Sequence, residues 1–217
     1  MSSVLNSFLL VYAGLFPIVD PVGGAPIFLG LTRHLQRAER DKLALHVAVN
    51  GFFLLLGSLV VGSYVLEFFG ITLPIVQIAG GLVVATFGWK LLHATTELPD
   101  HSDAGAAVTT DRRVDAFYPL TMPLTVGPGS IAVAITLGSQ WPHQATGLRD
   151  LALAAAGGVA GLLAVAVTVF LCYRYAERVI IRLGESGTNV VVRLSAFILL
   201  CIGIQIIWNG VQPLLHP

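Results

Sequence analysis

The stretch LFPIVDPVGGAPIFLGLT, residues 15–32, decides how this chain must be read. It is apolar enough for the interior of a membrane, yet it carries Pro17, Pro21, Pro26 and the single carboxylate Asp20. Proline lacks a backbone donor and its ring clashes with the preceding turn, so P-x3-P-x4-P predicts a helix that breaks. In hydrocarbon the freed backbone groups need partners, and irregular backbone persists only where it is buried or lines a cavity.

The same pattern returns in FYPLTMPLTVGPGSIAVAITLG, residues 117–138. Pro17, Pro21 and Pro26 reappear 102 residues later as Pro119, Pro123 and Pro128, and Asp20 falls on Met122. With 11 prolines in 217 residues, a threefold match at one offset predicts an internal repeat rather than coincidence.

The rest of the chain sets these segments in a membrane. Hydrophobic residues make up 55% and charged residues 11%, against about 25% charged in a soluble domain. Mean hydropathy is +0.82. Such a composition predicts an integral membrane protein. Six stretches of roughly membrane length follow, at 4–32, 43–66, 71–92, 116–139, 150–174 and 190–212. The first and fourth are the broken ones. Residues 1–92 and 116–217 then form two three-span repeats, joined by a polar linker at 93–115. An odd number of spans per half makes the halves run in opposite directions, the inverted-repeat plan of secondary transporters.

Eleven of the 12 Lys and Arg residues fall on one side of this arrangement, and Arg149 alone on the other. The positive-inside rule makes the basic side cytoplasmic and puts both termini outside. A formal net charge of zero gives no footprint for nucleic acid. Cys172 and Cys201 lie in apolar runs and call for no disulfide framework. The N-terminus has no charged segment of a cleavable signal. The linker's His93, Glu97, Asp100, His101, Asp103 and Asp111 match no metal-ligand spacing, so neither metal nor cofactor is expected. No nucleophile elbow or phosphate-binding glycine loop is written in the chain, which argues against an enzyme.

Asp20 is the one carboxylate in the interior of the six expected spans, Asp150 standing at the very start of the fifth. A charge at that depth costs at least about 2.5–3.5 kcal/mol on insertion scales and is usually functional. It can bind a proton, a cation or a substrate ammonium, or it can simply hold freed backbone amides. Gly23 and Gly24 in one break, and Gly127 and Gly129 in the other, allow close approach and unusual dihedrals. Half-helices beginning near Pro26 and Pro128 would turn positive N-terminal ends toward mid-membrane, where a carboxylate can be received. Thr121, Thr125 and Ser130 offer hydroxyls either to a substrate or to the broken backbone. Asn50, Gln77 and Gln205 suit helix contacts somewhat better than a cavity. Gly157, Gly158 and Gly161 suit close helix packing.

At these residues the sequence resembles the MarC-like family, also described as the SnatA-type neutral amino acid transporters. The resemblance runs through residues 15–32, FFGITLPIVQIAGGLVV at 68–84, FYPLTMPLTVGPGSI at 117–131 and RLGESGTNVVVRLSAFILLCIGIQIIWNGV at 182–211. Its specific elements are D-P-x-G-x-x-P and M-P-L-x-x-G-P-G. It implies six helices in two inverted repeats, and proton- or cation-coupled carriage of small neutral amino acids such as glycine and alanine. It also implies binding at Asp20, Pro21, Gly23 and Gly24 and at Gly127, Pro128, Gly129 and Ser130.

The expected protein is therefore an inner-membrane secondary transporter, with Asp20 as coupling group and Thr125 beside the substrate. Its partners are a neutral amino acid, a proton or monovalent cation, and the bilayer; its glycine-rich faces permit a homo-oligomer. An exporter of amino acids or of another small solute is the nearest alternative. A non-transporting membrane scaffold or stress protein is the alternative of another class.

Overall fold

The computed structural model describes residues 2–93, 116–118, 120–144 and 148–215. The expected linker, apart from His93, lies outside them, as does Pro119. Among the described residues all regular structure is helical. α1 (Ser2–Val19) and α2 (Pro21–Leu31) meet at Asp20 with a bend of 42°. α3 (Arg37–Phe68) and α4 (Leu73–His93) follow. A π-helical turn, Leu120–Thr125, precedes α5 (Pro128–Gln144). The last run, Leu148–Leu215, is interrupted at Gly184, which separates α6 (Arg149–Gly184) from α7 (Ser186–Leu215).

Four of these helices, α3, α4, α6 and α7, are long and apolar enough to cross a membrane, and the bent α1–α2 pair makes a fifth candidate. The expected fourth span is not one such helix. Its π turn leaves helical dihedrals at Met122, and the apolar helix beyond it is the short Pro128–Ser139. The helical ends also overrun the apolar stretches: α3 begins at Arg37 and α6 continues to Gly184, because backbone hydrogen bonding persists after the side chains turn polar.

The breaks follow a local rule. A residue before proline is pushed out of the right-handed helical region. Asp20 precedes Pro21 and sits at φ 42°, ψ 62°; Met122 precedes Pro123 and sits at φ −117°, ψ 124°. These two residues stand 102 positions apart. Two expectations need correction here. The second half-helix of the first break starts at Pro21, not near Pro26, because a proline at the first helical position has no donor to lose. Pro17 and Pro26 stay inside helices. The unusual dihedral in that break also falls on Asp20 rather than on Gly23 or Gly24; among the described residues only Asp20, Gly70 and Gly184 have positive φ. Aspartate tolerates the left-handed region because its short side chain can bond locally.

Gly70 ends α3 in a Schellman arrangement, with Gly70 N–H bonded to Glu67 O and Ile71 N–H to Leu66 O. Elsewhere glycine joins helices at backbone distance. A Cβ on Gly81 would lie 2.7 Å from Gly203 O, one on Gly88 2.6 Å from Leu200 N, and one on Gly210 2.7 Å from Pro74 O, so α4 and α7 touch main chain to main chain. Gly157 and Gly161 of α6 do the same with α1, against Val4 O and Phe8 O, which is the packing role their spacing predicts. Gln77 reaches from α4 to Thr136 of α5 at 3.3 Å, while Gln205 bonds to Asn209 within α7. Cys172 and Cys201 are free thiols.

Candidate functional site

Asp20 caps α2. Its backbone carbonyl accepts from Gly24 N–H at 2.9 Å, and its Oδ1 accepts from Gly23 N–H at 3.0 Å. Ser195 of α7 packs beside Gly23. Gly23 has to be glycine for this to happen, since a Cβ there would lie 2.2 Å from Asp20 Oδ2 and 2.8 Å from Ser195 Cβ. Of the reading that left Asp20 between ionic function and backbone support, the second is visibly fulfilled. The carboxylate already occupies the anion position at the N-terminus of α2.

That occupancy changes the expected polarity of the site. Pro21 has no N–H, and the amides of Gly23 and Gly24 are taken, so a substrate carboxylate gains little near Gly24. The Asp20 carboxyl group faces the adjoining recess. The recess is narrow, about 20 Å³, and is walled by Ile18, Asp20, Gly23, Gly24, Phe87 and Leu199, among others. Leu124 of the π turn completes it, so both breaks contribute to one space.

The second break is held by hydroxyls. Its backbone bonds span five residues, Thr121 N–H to Ala116 O, Met122 N–H to Phe117 O and Val126 N–H to Thr121 O. Thr121 and Thr125 donate their hydroxyls to Ala116 O and Leu120 O. Thr125 Oγ1 also lies 2.8 Å from Tyr173 Oη. Because the Thr125 proton is committed to Leu120 O, Tyr173 must donate, leaving its own oxygen lone pairs open as acceptors. Tyr173 is fully buried, stacks on Phe28 of α2 with centroids 4.5 Å apart, and stands where a Cβ on Gly24 would be 2.9 Å from its Oη. One side chain of α6 therefore touches both broken segments.

The predicted residues divide accordingly. Asp20, Gly23 and Gly24 wall the recess, Pro21 opens α2 beside Asp20, and Gly24 and Thr125 meet at Tyr173. Gly127, Gly129 and Ser130 do not wall it. Gly129 faces α4, where a Cβ would fall 1.9 Å from Val84 Cγ2. Ser130 is buried and donates to Gly127 O. Sequence reasoning missed Tyr173 and Ser195. Among the described residues no cluster of His, Cys, Asp and Glu suits a metal ion.

Comparison with known proteins agrees with the helical membrane architecture. A family model described as MarC family integral membrane protein matches residues 5–215. The inner membrane protein MarC of Salmonella typhimurium is 34% identical over 203 residues, covering 91% of this chain and 90% of that protein. The inner membrane protein MarC of Escherichia coli O1:K1 is 32% identical over the same span and coverage. No solved structure matches the chain.

Proposed function

The chain belongs to the MarC family of integral membrane proteins, a multi-pass protein of the inner membrane, and from that premise we propose that it carries small neutral amino acids by alternating access. The observation that carries this reading is the meeting of two proline-broken helices around one recess, with Tyr173 bonded to Thr125 of the second break and packed on Gly24 of the first. We read the fold as six membrane-crossing segments in two inverted repeats. The non-helical residues Asp20 and Met122 support it, since they occupy equivalent positions 102 residues apart. In this reading the Lys- and Arg-rich side is cytoplasmic and both termini lie outside.

The substrate's ammonium faces Asp20, whose carboxyl group is the one ionisable group in the wall of the recess. Its carboxylate turns toward the start of α5, where the Gly129 and Ser130 amides precede the first intrahelical bond, Ile131 N–H to Gly127 O. Val84 stands against Gly129 in this conformation, so that contact forms only after α4 and α5 part. Protonation of Asp20, or its exchange between ammonium and a cation, supplies the coupling. Nothing in this chemistry calls for an enzyme.

The test is ligand-induced stabilisation of the detergent-purified protein. A ligand bound only to the folded state raises its stability by RT ln(1 + [L]/Kd), about 2.7 kcal/mol at a hundredfold excess over Kd. Glycine, alanine or serine is expected to raise the unfolding temperature, and propionate, which is alanine without its ammonium, is not. Equal shifts from alanine and propionate would sink the ammonium assignment. No shift with any amino acid, together with no uptake in proteoliposomes, would sink the carrier reading.

A further inference from the structure

The face between α3 and α6 is layered. In the first turn of α3, Arg40 is buried and its guanidinium pairs with Glu177 of α6. Beside it, Arg174 Nε of α6 lies 3.7 Å from Asp41 Oδ2 of α3. One turn inward, Ala44 and Tyr173 are fully buried and Tyr173 stacks on Phe28. Beyond that layer lies a narrow apolar cavity of about 10 Å³, walled by Val47, Ala48, Gly51, Val165, Val169 and Thr125, among others. Further along, Leu55 of α3 and Leu162 of α6 close it again.

Two reciprocal ion pairs are a poor choice for permanent packing. Of the four charged groups only Arg40 is buried; Arg174 and Glu177 are half-exposed and Asp41 partly so, and such pairs hold helices weakly compared with apolar side chains of similar size. The arithmetic reverses for a contact that has to open. Separated charges regain their hydration, whereas separated apolar faces lose what held them. We propose that the α3–α6 face is the basic-side entrance to the Thr125 cavity, held shut here by Arg40–Glu177 and Arg174–Asp41, with Tyr173 as the layer beneath. The proposal rests on the carrier reading for its purpose, but not for its test.

The test reads access to the cavity directly. In a Cys172→Ser, Cys201→Ser background, Ala48→Cys places a thiol in the cavity wall, and Ala196→Cys places one in the buried α4–α7 contact. A charged, water-soluble maleimide is the probe, applied to detergent-purified protein that elutes as one species. Glu177→Gln leaves Arg40 buried beside a neutral amide and is expected to speed labelling of Ala48→Cys about tenfold, equivalent to about 1.4 kcal/mol in favour of the open form. Asp41→Asn, at the longer and less buried pair, is expected to speed it less. Labelling of Ala196→Cys stays unchanged. An unchanged rate at position 48, or an equal acceleration at both positions, overturns the gate. A face that stays shut in protein stabilised by alanine overturns the gate and leaves the carrier reading standing. A face that opens in protein no amino acid stabilises does the reverse.

Discussion

The two breaks arise from one sequence pattern and are stabilised by different chemistry. At the first, a carboxylate caps the restarted helix: Asp20 takes a left-handed conformation and binds Gly23 N–H with its own side chain. At the second, Met122 takes an extended conformation, and the neighbouring turn is satisfied by threonine hydroxyls and the Tyr173 phenol. The first break is compact and charged; the second is longer and neutral. Met122 stands where the first half has Asp20, and the backbone of the second break is bonded instead by the hydroxyls of Thr121 and Thr125.

Several substitutions would break or sharpen that contrast, and the largest effect is expected at the second break. Thr125→Val removes the donor to Leu120 O and leaves the Tyr173 hydroxyl without its acceptor, both in buried surroundings. Each such loss costs about 1–3 kcal/mol. Chemical or thermal unfolding in detergent should show it, and an unchanged midpoint would mean that water replaces the threonine. Next comes Gly129→Ala, whose Cβ would meet Val84 Cγ2 at 1.9 Å. Overpacking of this kind costs about 1–3 kcal/mol, and trimming the obstacle in Gly129→Ala/Val84→Ala should return part of it. Tyr173→Phe keeps the stacking on Phe28 and removes one hydrogen bond, about 1 kcal/mol. If it proved as damaging as Thr125→Val, the hydroxyl would have a further partner.

The smallest stability change belongs to the first break and separates its two roles. Asn caps helices about as well as Asp and also tolerates the left-handed region, so Asp20→Asn is expected to leave the unfolding midpoint nearly unchanged. It should nevertheless abolish stabilisation by alanine. Asp20→Ala, which loses cap and conformation together, should cost about 0.5–2 kcal/mol. Were Asp20→Asn to retain full alanine binding, the carboxylate would be a cap and nothing more.

The breaks themselves were legible because proline constrains its predecessor, a rule that acts within two residues. Which of three prolines would break the helix was not, since the outcome turns on the preceding side chain: Phe16 and Ala25 stay helical while Asp20 leaves. Tyr173 was hidden by its neighbours, because Arg174 and Arg178 mark the surroundings as a membrane edge. The spacing of the buried Leu162, Val165, Val169, Tyr173 and Ala176 nevertheless puts it on the core face of α6. Ser195 carried no local signal at all; only the approach of α7 to Gly23 gives it a role. Gly129 was assigned to a substrate and packs here against Val84 of α4; a missing side chain serves either purpose equally well in one dimension.

The glycines joining α4 to α7 have a consequence for how variants of this protein should be sorted. At positions 81, 88, 203 and 210 an added methyl group meets the opposite helix's main chain, which has no rotamer to change. A saturation library scored for accumulation in the membrane should therefore show a depleted line along these four positions. None of them walls the recess around Asp20. Inactive clones gathered there would report on assembly, and only a parallel measurement of protein amount would keep them from being mistaken for a second ligand site.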